Sequence, residues 1–264
     1  MTVRMDLTDH ARGNRAAWQE KADWYATPGR RCWASNEVTW GIWGIPDAEL
    51  PLFGDASRFA GLDTIELGCG TGYVSSWLAR RGARSVGVDI TPAQLDSARA
   101  FQAEFDVHFP LIEASAEQLP FDDASFDFAI SEYGASLWCD PHLWIPEAAR
   151  VLRPGGELVF LTNSPLLVMC TAYNAVASDP AGIELVRPQF GLGAVKFPDD
   201  PEATEFHTPH GEMIEILTRS GFAIADLIEV QAPADASSSY EFVTAEWARS
   251  WPSEEVWRVI KHSP

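Results

Sequence analysis

Short apolar runs alternate with longer amphipathic stretches through the middle of this 264-residue chain. The apolar runs are bounded by Gly, Pro or Asp, and they predict buried strands at 63–67, 85–89, 107–112, 126–132 and 156–162. The amphipathic stretches between them predict helices near 73–81, 92–104 and 143–152. Because strands and helices alternate, we expect an α/β fold whose doubly wound, mostly parallel sheet is covered by helices on both faces.

The C-terminal part of the chain continues this pattern. Residues 209–220 predict a helix that ends at Gly221, and residues 222–230 predict a strand. Apolar and polar side chains alternate over 255–261, which predicts an antiparallel last strand, although a short helix fits almost as well. We therefore expect residues 207–264 to complete the core.

A glycine-rich turn follows the first of the predicted strands. Residues 65–72 read Ile-Glu-Leu-Gly-Cys-Gly-Thr-Gly, and residues 86–89, Val-Gly-Val-Asp, end the next strand on an acid. Glycines let backbone amides approach a ligand closely, and Asp89 can accept hydrogen bonds from two ribose hydroxyls. Together the two motifs predict a nucleotide-cofactor site.

The spacing of the glycines bears on which cofactor binds. Dinucleotide-binding enzymes use G-x-G-x-x-G with a pyrophosphate at the helix N-terminus, whereas this chain has G-x-G-x-G. Glu66 also disfavours a pyrophosphate, because a carboxylate repels phosphates and suits a cationic ligand better. An NAD(P)-dependent oxidoreductase is therefore an alternative that the motif disfavours.

Further segments extend the motif in a fixed order. Residues 66–72 with Asp89, residues 114–130 and residues 150–160 together resemble the class I S-adenosylmethionine (SAM)-dependent methyltransferases, with a core like that of the ubiquinone and menaquinone methyltransferases. The resemblance covers residues 62–163. It implies a Rossmann-like SAM-binding core, methyl transfer to a small-molecule acceptor by in-line displacement, and S-adenosylhomocysteine (SAH) as the product. A non-catalytic protein that binds SAM or SAH is a further alternative.

The resemblance also implies which residues hold the cofactor. Ser115 departs from the family pattern, which often has an acid there to bond the adenine amino group, whereas a serine accepts one such bond without a charge. Tyr25 follows an N-terminal helix at the position from which related enzymes reach the methionine end of the cofactor, and side-chain packing is the alternative for it. The implied cofactor-binding residues are Tyr25, Glu66, Gly68, Cys69, Gly70, Gly72, Asp89, Ile90, Ser115, Ala116, Glu117 and Glu132.

Composition narrows the class of substrate. A formal charge of -19 repels polyanions, and residues 131–134, Ser-Glu-Tyr-Gly, lack the Asp/Asn-Pro-Pro-Tyr/Phe element of amino-methylating DNA enzymes, so we expect no nucleic-acid substrate.

No apolar stretch reaches the roughly 18 to 20 residues of a membrane span, and the N-terminus lacks the apolar core of a signal peptide, so we expect a cytoplasmic protein without a membrane partner. The four cysteines are widely spaced and predict neither a zinc site nor disulfides.

Two segments outside the core are expected to select the acceptor. Residues 1–61 hold five of the eleven tryptophans, which predicts a helical and aromatic lid over the cofactor cleft; packing of a helical layer against the sheet is the alternative. Residues 164–206 form an insertion after the fifth strand, above the carboxyl ends where ligands bind in such sheets, and predict a second wall of the pocket. A structural extension or a dimer contact is the alternative for this insertion, and the oligomeric state stays open.

Methyl transfer needs alignment and exclusion of water, but a hydroxyl or carbon acceptor must also lose a proton. Glu132, Tyr133 and His142 are the candidate catalytic residues at the strand ends. The alternative for His142 is a solvent-facing residue at the start of a helix. His207 and His210 are further candidates from the cap, and we expect no metal, because no carboxylate forms a ligand pattern with them.

Overall fold

A seven-stranded sheet forms the centre of the computed structural model, which describes residues 6–263. In chain order the strands are Thr39–Trp40 (β1), Ile45–Pro46 (β2), Asp63–Leu67 (β3), Arg84–Asp89 (β4), Leu111–Glu113 (β5), Phe126–Glu132 (β6), Leu152–Asn163 (β7), Ala194–Phe197 (β8), Asp200–Phe206 (β9), Phe222–Val230 (β10) and Glu254–Lys261 (β11). β1 pairs with β2 and β8 with β9 as two separate antiparallel pairs, and the other strands form the central sheet.

Helices connect these strands, and some of them begin at a side chain that caps the first turn. The α-helices are Asp9–Ala34 (α1), Tyr73–Arg80 (α2), Pro92–Phe105 (α3), Ala135–Trp138 (α4), Pro141–Val151 (α5), Pro165–Met169 (α6), His210–Arg219 (α7) and Ala245–Ser250 (α8). Thr8 accepts a hydrogen bond from Ala11 N at the start of α1, and Asp140 accepts one from His142 N at the start of α5. Over residues 6–263, none of the helices combines the length and apolarity that crossing a bilayer requires.

The spatial order of the central sheet is β10-β11-β7-β6-β3-β4-β5. β3 lies between β4 and β6 and is parallel to both, so the chain builds the sheet outward to one side of β3 and then returns to build the other side. In open α/β sheets, ligands bind outside the carboxyl ends of the strands at such a reversal. The segments that leave these two ends begin at Gly68 after β3 and at Tyr133 after β6.

The α/β fold, the mostly parallel sheet and the antiparallel last strand are confirmed. β11 runs antiparallel to both β7 and β10, and Val256, Trp257 and Val259 are buried within it. The alternative of a short helix over 255–261 is wrong, because neighbouring strands on both sides satisfy the backbone hydrogen bonds of this segment.

Two predicted strands have different limits in the structure. The strand predicted at 107–112 is confined to β5, because Asp106 ends α3 with a positive φ of 52° and residues 107–110 form an irregular connection. The strand predicted at 156–162 begins earlier, at Leu152, directly where α5 ends. The breaker residues that the sequence offers at 153–156 therefore lie within β7.

The N-terminal segment joins the core through buried aromatic side chains. Trp33, near the end of α1, packs on the aromatic rings of α3, and Trp40 contacts Trp77 of α2 edge to face. Trp43 is buried in the same core cluster as Trp40, whereas Trp24 is 79% exposed. Three of the tryptophans thus pack a layer against the core, as the alternative interpretation of this segment proposes.

The insertion after β7 is seated on the first helix. Asn14 of α1 donates hydrogen bonds to Trp138 O (2.7 Å) and Thr204 O (2.9 Å) and accepts one from Thr204 N (2.6 Å). Gly13 permits this close approach, because a Cβ atom there would overlap with Glu202 O. The N-terminal half of α1 therefore links β9 of the insertion to α4 of the core.

Candidate functional site

Two backbone turns meet at the centre of the site. Gly68, Gly70 and Gly72 have positive φ angles of 73°, 52° and 74°, which glycine adopts without strain. Gly68 also packs against the chain that leaves β6, since a Cβ atom at position 68 would lie 2.6 Å from Gly134 Cα and from Ala135 N. The glycine turn thus brings the carboxyl ends of β3 and β6 into direct contact.

The tip of β4 is tied to the same turn. Cys69 N donates a hydrogen bond to Val88 O, Gly70 N donates to Asp89 Oδ2, and Thr91 N donates to Asp89 Oδ1, each at 2.8 Å. Burial raises the pKa of Asp89, although the hydrogen bonds from Thr91 N and Gly70 N oppose that rise. Carboxylate oxygens accept more than one hydrogen bond, so both oxygens keep capacity for the predicted ribose contact.

Glu66 lies at the end of β3 and faces the start of α2. Its Oε2 atom accepts hydrogen bonds from Ser75 N (2.7 Å) and Ser75 Oγ (2.6 Å). Burial raises the pKa of Glu66 to about 8, against the hydrogen bonds from Ser75, which lower it. Glu66 therefore holds the first turn of α2 next to the glycine turn, and its predicted contact with the cofactor stays a prediction.

The segment after β5 lies beside an open cavity of about 250 Å³. Ser115 Oγ accepts a hydrogen bond from Glu117 N (3.2 Å), Ala116 is buried, and Ile90 is half-buried at the neighbouring tip of β4. The cavity is lined by Asp6, Leu7, Thr8, Ser115, Glu117, Gln118 and Leu143. This is the end of the site at which the resemblance implies the adenine.

N-terminal residues that the sequence motifs did not indicate reach Glu117. His10 Nε2 lies 2.5 Å from Glu117 Oε1, which also accepts a hydrogen bond from Asp140 N (2.9 Å), and Thr8 Oγ1 donates to Glu117 Oε2 (3.2 Å). These contacts join α1 and the start of α5 to the segment after β5. No local signal could have indicated the contacts of Thr8 and His10 with Glu117, because each joins residues more than a hundred positions apart in the chain.

Glu132 ends β6 and is bonded to two different segments. Its Oε1 atom accepts a hydrogen bond from Gly41 N (2.8 Å), and its Oε2 atom accepts one from the Tyr73 hydroxyl (2.8 Å). Burial raises the pKa of Glu132 to about 7. The predicted catalytic carboxylate therefore lies beside the glycine turn, and its pKa is close to neutral pH.

Tyr133 follows Glu132 with a positive φ of 52° and directs its hydroxyl toward Glu254 Oε1 (2.7 Å) and Asn163 Oδ1 (3.2 Å). Glu254, at the start of β11, also accepts a hydrogen bond from Ile42 N (2.9 Å). Burial, with a smaller contribution from the charge of Glu132, raises the pKa of Glu254 to about 7, against the hydrogen bonds from Tyr133 and Ile42. Sequence reasoning missed Glu254, because only the pairing of β11 with β7 brings it to this edge.

The three histidine candidates each contact a different carboxylate. His142 has an exposed ring at the start of α5 and contacts Glu212 of α7 at 3.1 Å, which is the arrangement of the solvent-facing alternative. His207 is buried, with Nε2 2.8 Å from Glu205 Oε2, and His210 Nε2 lies 2.6 Å from a carboxylate oxygen of β11. Among residues 6–263, no three His, Cys, Asp or Glu side chains converge as a metal site.

Tyr25 lies on α1 among other aromatic side chains. Its ring centre is 4.8 Å from that of Trp18 and 6.0 Å from that of Trp24. Burial raises the pKa of Tyr25, and the nearby Tyr240 raises it further. Tyr25 therefore stays a neutral phenol at physiological pH, and its contact with the methionine end of the cofactor stays a prediction.

Comparison with known proteins identifies the central part of the chain. Residues 65–160 match a family model described as a methyltransferase domain. The chain is 38% identical over 112 residues to malonyl-[acyl-carrier protein] O-methyltransferase of Serratia marcescens, covering 42% of each protein. It is 37% identical over 157 residues to demethylmenaquinone methyltransferase of Clavibacter sepedonicus, covering 60% of each. The match thus spans less than two thirds of the length of either relative.

The fold agrees with these matches. The structure of an S-adenosylmethionine-dependent methyltransferase from Mesorhizobium loti superimposes with a TM-score of 0.61 at 24% sequence identity, covering 79% of this chain and 99% of that one. Residues 65–160 therefore form a methyltransferase domain. The domain match, the glycine turn with Asp89 and the fold support a SAM-dependent methyltransferase, with SAM as the cofactor.

Proposed function

We propose that the protein transfers a methyl group from SAM to a small-molecule acceptor by in-line displacement. The observation that carries the proposal is the contact of the glycine turn with the segment after β6, beside the Asp89 carboxylate. The names of two relatives support a small acceptor group, since one acts on a malonyl group held by a carrier protein and the other on demethylmenaquinone.

The residues at the end of β3 fit SAM. Gly70 leaves backbone open to a ligand, because the nearest atom to a Cβ there would be Gln94 Oε1 at 3.8 Å, and that buried oxygen has no hydrogen-bond partner. In this proposal, Asp89 accepts hydrogen bonds from the ribose, Ser115 accepts one from the adenine, and Gln94 accepts one from a ligand donor. When bound, SAM supplies an electrophilic methyl group on a sulfonium.

Two side chains near the end of β6 can take part in proton transfer from the acceptor and in hydrogen bonding to it. Glu132, with a pKa of about 7, is a suitable base for an acceptor hydroxyl. Its carboxylate would take the hydroxyl proton as the acceptor oxygen bonds the methyl carbon and the bond from that carbon to the sulfonium sulfur breaks, which leaves SAH. Tyr133 stays protonated, because burial raises the pKa of its hydroxyl well above the ordinary value, and it serves as a hydrogen-bond donor. α1 and the insertion after β7 exclude water from this edge.

The proposal extends to a cytoplasmic location. The four cysteines, Cys32, Cys69, Cys139 and Cys170, are all free thiols, which fits a reducing compartment.

Isothermal titration calorimetry with SAH tests the cofactor assignment without knowledge of the acceptor. We expect a micromolar dissociation constant for SAH and no binding of NADH under the same conditions. A folded sample that binds NADH and not SAH contradicts the proposal in favour of an oxidoreductase. Binding of SAH without methyl transfer to any of a panel of phenols, acids, amines and thiols favours a non-catalytic SAM- or SAH-binding protein instead.

A further inference from the structure

Two carboxyl groups, those of the partly buried Glu132 and the fully buried Glu254, face one turn of the N-terminal segment. Glu132 accepts a hydrogen bond from Gly41 N, and Glu254 accepts one from the next amide, Ile42 N. These two residues are called the carboxyl pair below. Because consecutive amides bind them, the two carboxyl groups lie next to each other beneath this turn.

The carboxyl pair has no cationic partner within residues 6–263. Its other hydrogen-bond donors are the neutral hydroxyls of Tyr73 and Tyr133. Burying carboxylates without a counter-charge costs several kcal/mol per ion, and glutamine could hold the same amides without that cost.

One oxygen of the pair lacks any partner. Glu254 is fully buried, and its Oε2 atom makes no hydrogen bond to the protein. Gly41 permits the close approach of this carboxyl group, because a Cβ atom there would lie 2.2 Å from Glu254 Oε1 and 2.8 Å from Glu254 Oε2. A buried oxygen of this kind is a place for a donor group from a ligand.

The order of the strands places Glu254 away from the predicted cofactor half of the site. Asp89 and Ser115 follow β4 and β5, on one side of β3. Glu132 ends β6, on the other side of β3, and Glu254 begins β11, two strands further out. The space over β6, β7 and β11 is therefore left for the acceptor, with Glu132 at the boundary between the two halves.

Two tyrosine side chains lie near the carboxyl pair. Tyr240 lies near both members of the pair and is 37% exposed, and Tyr25 lies beside it. The faces of aromatic rings attract cations, and the overall charge of -19 raises the local concentration of small cations. Hydrogen bonding, charge and aromatic lining thus favour the same kind of ligand.

We infer that the carboxyl pair is the recognition site for a protonated amine of the acceptor, so that the acceptor is a small organic cation. This inference rests on the proposed methyl-transfer function and adds a substrate class to it. The amine donates to Glu254 Oε2, the buried oxygen without a partner, and its positive charge compensates the two carboxylates. The raised pKa values of about 7 fit this assignment, because a bound cation lowers the pKa of nearby carboxyl groups.

Matched probes test this inference on the full-length protein saturated with SAH. Phenethylamine and 2-phenylethanol form one pair, and benzylamine and benzyl alcohol form a second; each pair differs mainly in charge. At pH 8 we expect the wild-type protein to bind each amine at least tenfold more tightly than its alcohol in calorimetric titrations. Equal binding of amine and alcohol by the wild-type protein overturns the inference without any variant.

Variants then locate the preference. Glu254→Gln and Glu132→Gln keep a carbonyl oxygen for the backbone amides, and we expect either substitution to reduce the preference for the amines at least tenfold. Glu229→Gln removes one charge from an exposed position on β10 and serves as the matched control. A preference that survives both pair substitutions contradicts the inference.

The same titrations separate this inference from the proposed function. We expect Glu254→Gln to bind SAH within threefold of the wild-type affinity, since Glu254 lies in the acceptor half. A tenfold loss of SAH affinity in this variant, with its circular dichroism unchanged, assigns the pair to the ammonium group of the cofactor and overturns the inference. Failure of the wild-type protein to bind SAH contradicts the proposed function instead.

Discussion

At the scale of single residues, Asp89 uses both of its carboxylate oxygens to order the site. Replacing Asp89 with alanine removes the acceptors for Gly70 N and Thr91 N as well as the predicted ribose contact. Hydrogen bonds to charged groups contribute about 1.5–3 kcal/mol each, and about 1.4 kcal/mol corresponds to a factor of ten in affinity. We therefore expect at least a tenfold weaker affinity for SAH, measured by calorimetry on a sample whose circular dichroism is unchanged.

Asp226→Ala is the control for this measurement. Asp226 is exposed on β10, so its removal changes the net charge equally without touching the glycine turn. Wild-type affinity in Asp89→Ala would show that the ribose binds elsewhere.

Gly68 combines a positive φ with a backbone contact, and the two requirements can be separated by substitution. Gly68→Ala places a Cβ atom 2.6 Å from Gly134 Cα, whereas Gly191→Ala meets nothing within 4 Å at a similar positive φ of 83°. Both variants incur about 1–2 kcal/mol of backbone strain. Overpacking adds roughly 1–3 kcal/mol at position 68 alone, and we expect urea unfolding to show this difference. Equal losses in the two variants would mean that the turns after β3 and β6 separate readily.

At the scale of elements, the sequence predicts turns and strand limits, because these depend on residues that are neighbours in the chain. It does not predict contacts that depend on how distant elements pair or cross. The turn at 65–72 follows from glycines that are neighbours in the chain, and β3, β6 and β10 have their predicted limits. Glu254 reaches the site only because β11 pairs in a register that sets it opposite Asn163. Likewise, His10 reaches Glu117 only because α1 crosses to the segment after β5. Neither the register nor the crossing leaves a local pattern.

The hydrogen bonds between Asn14 of α1 and Thr204 of β9 lead to a prediction about stability. Asn14→Ala leaves the buried N and O atoms of Thr204 and the partly buried O atom of Trp138 without this partner, and an unsatisfied buried group costs about 1–3 kcal/mol. We expect a loss of stability of that size or more in urea unfolding, together with faster proteolysis within the insertion. Asn36→Ala, at an exposed position after α1, is the matched control and should change neither. Unchanged proteolysis in Asn14→Ala would show that the insertion holds its place without the first helix.

At the scale of the whole molecule, buried carboxyl groups set how stability depends on pH. Burial raises the pKa of Glu66 to about 8 and those of Glu132 and Glu254 to about 7, from an ordinary value of 4.5. Between the ordinary and the raised values, the folded state binds more protons than the unfolded state, so the free energy of unfolding decreases as pH rises. The raised pKa of His210, beside Glu255, acts in the same direction.

We therefore expect the free energy of unfolding to decrease from pH 5.5 to pH 8, measured by urea titration across that range. The carboxyl groups whose pKa is lowered by arginines, Asp63 and Glu147, lose their contribution only at more acidic pH. Glu254→Gln should make the decrease shallower by up to about 1.4 kcal/mol per pH unit, the value for one proton. A stability that rises over this range would mean that these carboxyl groups stay ionised in the folded protein.

The seat of the insertion on the first helix also limits how this protein could exchange parts with its relatives. A new insertion after β7 must present a backbone that fits Gly13 and satisfies Asn14, although Asn14 lies 190 positions before its partner Thr204. Chimeras that import residues 164–206 alone should therefore fold poorly, whereas chimeras that import the first half of α1 with them should fold. The insertion and the first half of α1 therefore form one structural unit, although they are distant in the chain.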